Sequence, residues 1–167
     1  MKKIFFYSSL CLFLCLSACK PTREEALKYN DAIIDEQVAV MDLINDLNST
    51  INTYDKTKLD LAYNKLDAQL SKSMQKVSAM DDLGGKTLFK EAAIVYFKTI
   101  KEGMVAELKP ALNQYGKPLT EATEEDDEKA DALYHKFIDR LKKAFKPFVD
   151  AQNIQAKEYD YEIEKTH

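Results

Sequence analysis

The chain has 167 residues, and its 24 lysines and arginines against 28 aspartates and glutamates give a formal net charge of −4. This acidic balance argues against nucleic acid as the main partner. With only 4 glycines and 4 prolines and no run of alternating apolar and polar residues, the chain favours helices over strands.

The first 18 residues have the pattern of a targeting segment. Lys2 and Lys3 form a short basic start, and the 13 residues of 4–16 are almost all apolar. A helix needs about 20 apolar residues to cross a bilayer, so this run is too short to span one. A basic start, a short apolar run and small residues at its end are typical of a secretory signal peptide. We therefore expect residues 1–18 to be removed.

The targeting segment ends on Leu16-Ser17-Ala18-Cys19, which resembles the lipobox of bacterial lipoproteins. The resemblance implies cleavage before Cys19, diacylation of its thiol by chains such as palmitate, and acylation of the new amino terminus. Two or more acyl chains make a stable membrane anchor. Because Cys11 and Cys15 lie in the removed segment, we expect no disulfide and no thiolate metal site in the folded part.

The first helix is predicted over 22–54. Thr22 followed by Glu25 three positions later is a capping box, and Pro21 stands just before it, where a missing N–H costs little. Residues 19–21 then form only a short lipidated tether, and 22–167 form one domain. The predicted apolar face, at steps of three, four and seven residues, is Ala26, Ile33, Ile34, Val40, Met41, Ile44, Leu47, Ile51 and Tyr54.

Three more amphipathic helices follow, each separated from the last by a short turn. Asp55 is the predicted N-cap of the second helix, over 56–80. The Asp81–Gly85 turn ends that helix, and the third is predicted over 86–115, where Gly116-Lys117-Pro118 stops it. The fourth is predicted over about 120–165. The apolar face of the fourth helix is predicted to comprise Leu133, Phe137, Leu141, Phe145 with Phe148, Gln152, Ala156, Tyr159 and Ile163.

Four long helices joined by short connections predict an all-α, antiparallel up-down-up-down four-helix bundle. The fourth helix is much longer than the second, so it must either overhang the bundle or break. Pro147 is the predicted break or kink, and Pro110 offers a similar one late in the third helix. An exposed apolar or aromatic groove at an overhanging half, near Tyr159 and Tyr161, would favour a role in binding a partner.

The familiar cofactor and catalytic patterns are not matched. Di-iron bundles use Glu-x-x-His, but the residue three before His135 is Ala132. The sequence Gly84-Gly85-Lys86-Thr87 lacks the earlier glycine and the strand of a phosphate-binding loop. The seven carboxylates of 121–131 are typical of a solvated helix start. We expect no enzyme, no cofactor and no metal.

Two amides of the first helix are the exception to an otherwise apolar column. Asn30 and Gln37 precede Ile44 and Ile51 at steps of seven residues. Buried amides must be hydrogen-bonded, and they can set helix register or line a small polar pocket. Gln152 on the fourth helix is a candidate partner for them, and His135 a further candidate for such a pocket. Both interpretations stay open from the sequence.

The helix after the lipobox, with Glu25-Ala26-Leu27-Lys28-Tyr29-Asn30 continuing to Gln37, resembles a group of uncharacterised helical surface lipoproteins of spirochaetes and Bacteroidota. The resemblance implies an envelope lipoprotein and assigns no catalytic residue. Position two after the cleavage site is Lys20 rather than the aspartate that retains proteobacterial lipoproteins at the inner membrane. By that analogy the outer membrane is favoured, with the periplasmic and surface faces both open.

Two functional hypotheses follow. The first is a non-enzymatic cell-envelope lipoprotein whose bundle binds a protein or an envelope polymer close to the membrane. The second is a small-ligand- or metal-binding bundle in the periplasm, using a pocket near Asn30, Gln37, Gln152 or His135. An exposed apolar groove would favour the first hypothesis, and an enclosed pocket with converging amides the second.

Overall fold

The computed structural model describes residues 20–118 and 120–163. The lipobox and the apolar run before it lie outside these residues, as does the end of the chain after Ile163. The described chain is an all-α four-helix bundle with a long last helix, as predicted. Its helical segments are α1 (Arg23–Ile51), α2 (Lys56–Ala79), α3 (Leu88–Gly103), a π-helical turn (Met104–Leu108), α4 (Lys109–Tyr115) and α5 (Glu124–Tyr159).

The starts of α1 and α2 are set by side-chain caps. The Thr22 hydroxyl accepts a hydrogen bond from the Glu25 N–H, and the Glu25 carboxylate accepts one from the Thr22 N–H, which confirms the predicted capping box. Asp55 caps α2 by accepting from the N–H groups of Thr57 and Lys58. Each satisfies backbone donors that have no partner within the helix. A second capping box, from Thr123, starts α5 and was not predicted from the sequence.

The third predicted helix is one continuous helical path with a wider turn inside it. The Lys109 N–H donates to the Met104 carbonyl, which is a π-helical bond, and Pro110 follows at once. A proline has no N–H to donate and its ring crowds the preceding turn. The widened turn relieves that crowding, so the helix continues past Pro110 instead of breaking.

The fourth helix differs from its prediction in two ways. It runs unbroken from Glu124 to Tyr159 through Pro147, so the predicted break is wrong. It also ends before residue 165, because Asp160 adopts a left-handed conformation (φ 53°) and the Tyr161 N–H turns back to donate to the Ala156 carbonyl. At about 1.5 Å per residue, α5 is about 54 Å long and α2 about 36 Å.

The excess length of α5 extends from its N-terminal end, where residues 124–129 are mostly exposed and Ala130 is the first buried residue. Tyr159 and Tyr161 are both buried, at 6% exposure each. These two rings therefore lie in the interior and not in an exposed groove. The reason is that the turn between α2 and α3 and the start of α1 cover these rings.

Helices that follow each other in the chain pack side by side, and α5 completes the bundle by contacting α1. The core is rich in aromatic rings, with Tyr96 stacked on Phe148 at 5.2 Å between ring centroids and Phe89 at 5.3 Å from Phe148. Phe145, predicted to face the core, is instead 42% exposed at its edge. The ring of Phe148, one helical turn further along α5, fills the interior between α3 and α5.

The two ends of the bundle differ in what they bring together. At one end, called the basal end here, residues 20–22, the turn 80–87 and the last turn of α5 meet. The Tyr159 hydroxyl donates to the Leu83 carbonyl at 3.4 Å, and Pro21 lies against Gly84. The opposite, apical end holds the connections 52–55 and 116–123, where the rings of Tyr54 and Tyr115 meet edge to face.

Candidate functional site

A buried polar cluster joins α1 to the end of α5 at the basal end. The Gln152 side-chain amide donates to the Asn30 Oδ1 at 2.8 Å, and the Tyr161 hydroxyl donates to the same oxygen at 3.4 Å. Gln155 donates to the Tyr161 hydroxyl at 3.1 Å. All four residues are less than 10% exposed. The sequence named Asn30 and Gln152 as candidate partners, and the structure brings them into direct contact.

The hydrogen bonds of this cluster are made among its own members. Asn30 also donates through its amide nitrogen to the Asp31 Oδ1 at 3.1 Å. Burial raises the pKa of Tyr161, and the hydrogen bond with Gln155 offsets part of that shift. A polar group buried with its bonds satisfied specifies one arrangement of the helices, because any other register would leave it unpaired. This geometry favours the register-setting interpretation for Asn30, with Gln152 as its partner.

Gln37 and His135 lie outside the cluster. Gln37 is half-buried beside the Tyr96 hydroxyl, which donates to the Met41 sulfur at 3.4 Å. Burial raises the pKa of Tyr96 to about 12, and a hydrogen bond with Gln37 opposes the shift. His135 is exposed, and its 17 positions before Gln152 place it about 25 Å away along α5. The four residues named from the sequence therefore do not line one pocket.

Two members of the cluster were missed by the sequence analysis. Gln155 follows Gln152 by three residues, so its place on the same face was available from helical spacing. Tyr161 was not, because its hydroxyl reaches Asn30 only after the chain turns back at Asp160.

A second polar cluster, centred on Glu36, crosses from α1 to α2 and was not predicted. The Glu36 carboxylate accepts hydrogen bonds from the Ser73 hydroxyl at 2.7 Å, from Lys76 at 2.5 Å and from Gln69 at 3.3 Å. Burial acts to raise the pKa of Glu36, but the bonds from Lys76 and Ser73 outweigh it, and the pKa lies below its ordinary value. Every bond holds two helices together, so the cluster is a structural one.

The described chain is held to the bundle from its first residue. The Lys20 ammonium donates to the Glu158 carbonyl oxygen at 3.3 Å and lies 5.5 Å from the centroid of the Tyr159 ring. Lys86 forms an ion pair with the Glu158 carboxylate at the same place. A β-carbon on Gly84 would lie 2.6 Å from the Pro21 Cδ, so the Pro21 ring packs tightly against the backbone of Gly84. The described chain therefore begins at the basal end, with Lys20 and Pro21 packed on it.

An open groove of about 990 Å³ lies on the outer side of the α3–α5 pair. Three large apolar side chains border it although they face solvent: Leu88, Val95 and Ile154 are 51%, 60% and 52% exposed. Both walls are helical and rigidly packed, so the groove exists before any partner binds. Compact residues form the rest of its apolar lining, namely Ala92, Ala144, Pro147 and Ala151.

Within residues 20–118 and 120–163, no group of three or more histidine, cysteine, aspartate or glutamate side chains is arranged to hold a metal ion. Over the same residues, no helix combines the length and the apolar character that a membrane span requires.

Comparison of this chain with protein-family models, with curated proteins and with solved structures found no match.

Proposed function

We propose that this protein is a non-enzymatic lipoprotein of the bacterial cell envelope, anchored through acyl chains on Cys19, whose helical bundle binds another protein close to the membrane. The anchor is favoured at the outer membrane. The observation that carries the proposal is the position of Lys20 and Pro21, which pack on the basal end immediately after Cys19. A lipid on that cysteine would hold the bundle against the bilayer with almost no linker.

The strength of such an anchor follows from its chemistry. Each buried methylene of an acyl chain contributes about 0.8 kcal/mol, and two or more chains make attachment stable. Without a linker the bundle cannot reach far into the periplasm or the medium. A partner that meets it would itself lie at or near the membrane.

The groove between α3 and α5 supports binding to a protein rather than to an envelope polymer. Exposed side chains such as Val95 and Ile154 lose water-accessible apolar surface when a partner covers them, at about 25 cal/mol per Å². A glycan offers mainly hydroxyl groups, which match an apolar lining poorly. A protein helix offers apolar side chains on one face and suits a preformed groove of this kind.

The alternative, a bundle that binds a small ligand or a metal, would use the amides of Asn30 and Gln152. The Gln152 amide donates to the Asn30 Oδ1, which also accepts from the Tyr161 hydroxyl, and this favours a structural role.

Lipid attachment is tested by feeding cells an alkyne-tagged palmitate and measuring the label on the purified protein. We expect Cys19→Ser to remove the label and Cys15→Ser to retain it, because only Cys19 follows the lipobox pattern. Label that persists in the Cys19→Ser variant would refute the anchor. The mass of the amino-terminal peptide gives the number of chains.

Partner binding is tested by affinity purification from detergent-solubilised envelopes. We expect a protein that copurifies with the wild type to be lost with Val95→Glu and kept with Val105→Glu. Val105 is a matched control, since it is 66% exposed on the same helical path and does not line the groove. Equal recovery with both variants would count against the groove as the binding surface.

A further inference from the structure

The charged residues around the groove are distributed unevenly along it. Its apical half is lined by Lys136, Arg140 and Lys143 with one carboxylate, Asp139. Arg140 is neutralised by Glu107, with hydrogen bonds of 2.8 and 2.5 Å. Over the described residues, neither Lys136 nor Lys143 forms an ion pair with a carboxylate. With Asp139 counted against them, the two exposed lysines leave the apical half with a net positive charge.

The basal half has a different character. Leu88 and Ile154 provide its exposed apolar surface, and its charged groups are Glu91 and Asp150. Asp150 is paired with Lys146 one helical turn before it, at 2.6 Å. Going from the basal to the apical end, the groove thus changes from apolar with a slight negative charge to positive.

The length of the groove matches a short helix. On α3 the lining runs from Leu88 to Thr99, and on α5 from Lys136 to Ile154. These spans are about 17 Å and 27 Å at 1.5 Å per residue, the length of a helix of roughly 11 to 18 residues. The small side chains of Ala144 and Ala151 between the two walls allow another helix to approach closely.

We propose that the groove binds an amphipathic α-helix of a partner protein, with its apolar face on Leu88, Val95 and Ile154 and carboxylates at the end that lies over Lys136 and Lys143. This inference rests on the proposed function and specifies the partner's chemistry. A fatty acid would fill the apolar half, but its single carboxylate could not meet both ammonium groups, which lie about 10 Å apart along α5. An acidic amphipathic helix complements both halves at once.

The partner segment is identified by site-specific photo-cross-linking in intact cells. A benzophenone amino acid replaces Val95 in one variant and Val105, outside the groove, in the control. Mass spectrometry then locates the cross-linked peptide. The expected product, formed from position 95 only, is a segment with apolar residues at three- and four-residue spacing and at least two carboxylates at one end.

Other products of this experiment would overturn the proposal. They are a cross-link from position 95 to lipid, to a glycan or to a second copy of this chain, a protein segment without carboxylates, and equal yields from positions 95 and 105. An absence of any product from position 95, in cells where the variant is present at the wild-type level, would overturn it as well. These outcomes are independent of palmitate labelling at Cys19, so failure of the groove and failure of the anchor are distinguishable.

The role of the two lysines is tested with a synthetic peptide of the cross-linked segment and the purified chain from Lys20 onward. That part holds the whole described core, including the polar clusters, so it is expected to fold alone. We expect the double variant Lys136→Glu/Lys143→Glu to bind the peptide about tenfold more weakly, and the wild-type affinity to fall with added salt. Unchanged affinity in the double variant would overturn the charge assignment.

A second double variant, which changes the net charge by the same amount at positions outside the groove, controls for the effect of net charge on peptide binding. Lys65→Glu/Lys98→Glu alters two exposed lysines, one on α2 and one on α3, which do not line this groove. Its affinity for the peptide is expected to stay within about twofold of the wild type. A loss as large as that of the groove variant would mean that net charge, not the groove, attracts the peptide.

Discussion

The hydrogen bond between Asn30 and Gln152 gives the sharpest test of how this fold is specified. Replacing Gln152 with methionine keeps the length of the side chain but removes the donor. Asn30 is only 7% exposed, and its Oδ1 then keeps only the 3.4 Å hydrogen bond from the Tyr161 hydroxyl. Leaving a buried acceptor short of a partner costs about 1–3 kcal/mol. A loss of about 2 kcal/mol in a domain of this size lowers the Tm by roughly 4–8 °C.

The double variant separates pairing from packing. Asn30→Leu alone leaves the Gln152 amide without its acceptor and is expected to cost a similar amount. With both substitutions neither partner remains buried and unpaired, so the double variant should lose at least about 1 kcal/mol less than the sum of the two single losses.

The assay is urea unfolding followed by circular dichroism at 222 nm, with free energies of unfolding for the wild type, both single variants and the double variant. Gln75→Met, at an exposed position of α2, is the control and should change stability by less than about 0.5 kcal/mol. Single losses that simply add, within about 0.5 kcal/mol, would refute the reasoning that these amides act as a pair.

Three further predictions concern the turn, the acidic cluster and the proline. Gly84→Ala should destabilise the fold by more than Gly85→Ala in thermal unfolding: both glycines have positive φ, but only at Gly84 would a β-carbon meet Pro21, whereas at Gly85 it meets open space. Equal losses would show that Pro21 does not pack there. Glu36→Gln should lower the free energy of unfolding at neutral pH and make that free energy less dependent on pH in the acid range. Because the folded-state pKa of Glu36 is lowered, the stability that the Glu36 carboxylate contributes is present above its unfolded pKa and is lost as the pH falls through its folded pKa. Parallel stability curves of variant and wild type from pH 3 to 7 would contradict this. Pro147→Ala should raise the free energy of unfolding by about 2 kcal/mol, because it restores a helix N–H inside α5. A variant less stable than the wild type would show that the ring has a packing role in the groove.

Much of the fold was predictable because its determinants are local. The capping box at Thr22 and the N-cap at Asp55 each involve residues two or three positions apart, and the structure confirms both. The spacing of apolar residues predicted the four helices, and the short connections predicted their antiparallel order. The ends of elements were less predictable: the helical path continues through Pro110 and Pro147 because helix packing and a widened turn outweigh the local cost of proline.

The candidate sites likewise combine features that were predictable from local sequence with features that were not. Sequence spacing alone placed Asn30 and Gln152 on core-facing columns of two helices. The tertiary structure decided that they touch, that Tyr161 joins them through the left-handed turn at Asp160, and that His135 points away from them. The groove between α3 and α5 also depends on the tertiary structure, since it forms from side chains that only helix packing brings together. Periodicity and caps act within a few residues of chain, whereas contacts across more than 100 residues depend on how each helix is rotated against its neighbours.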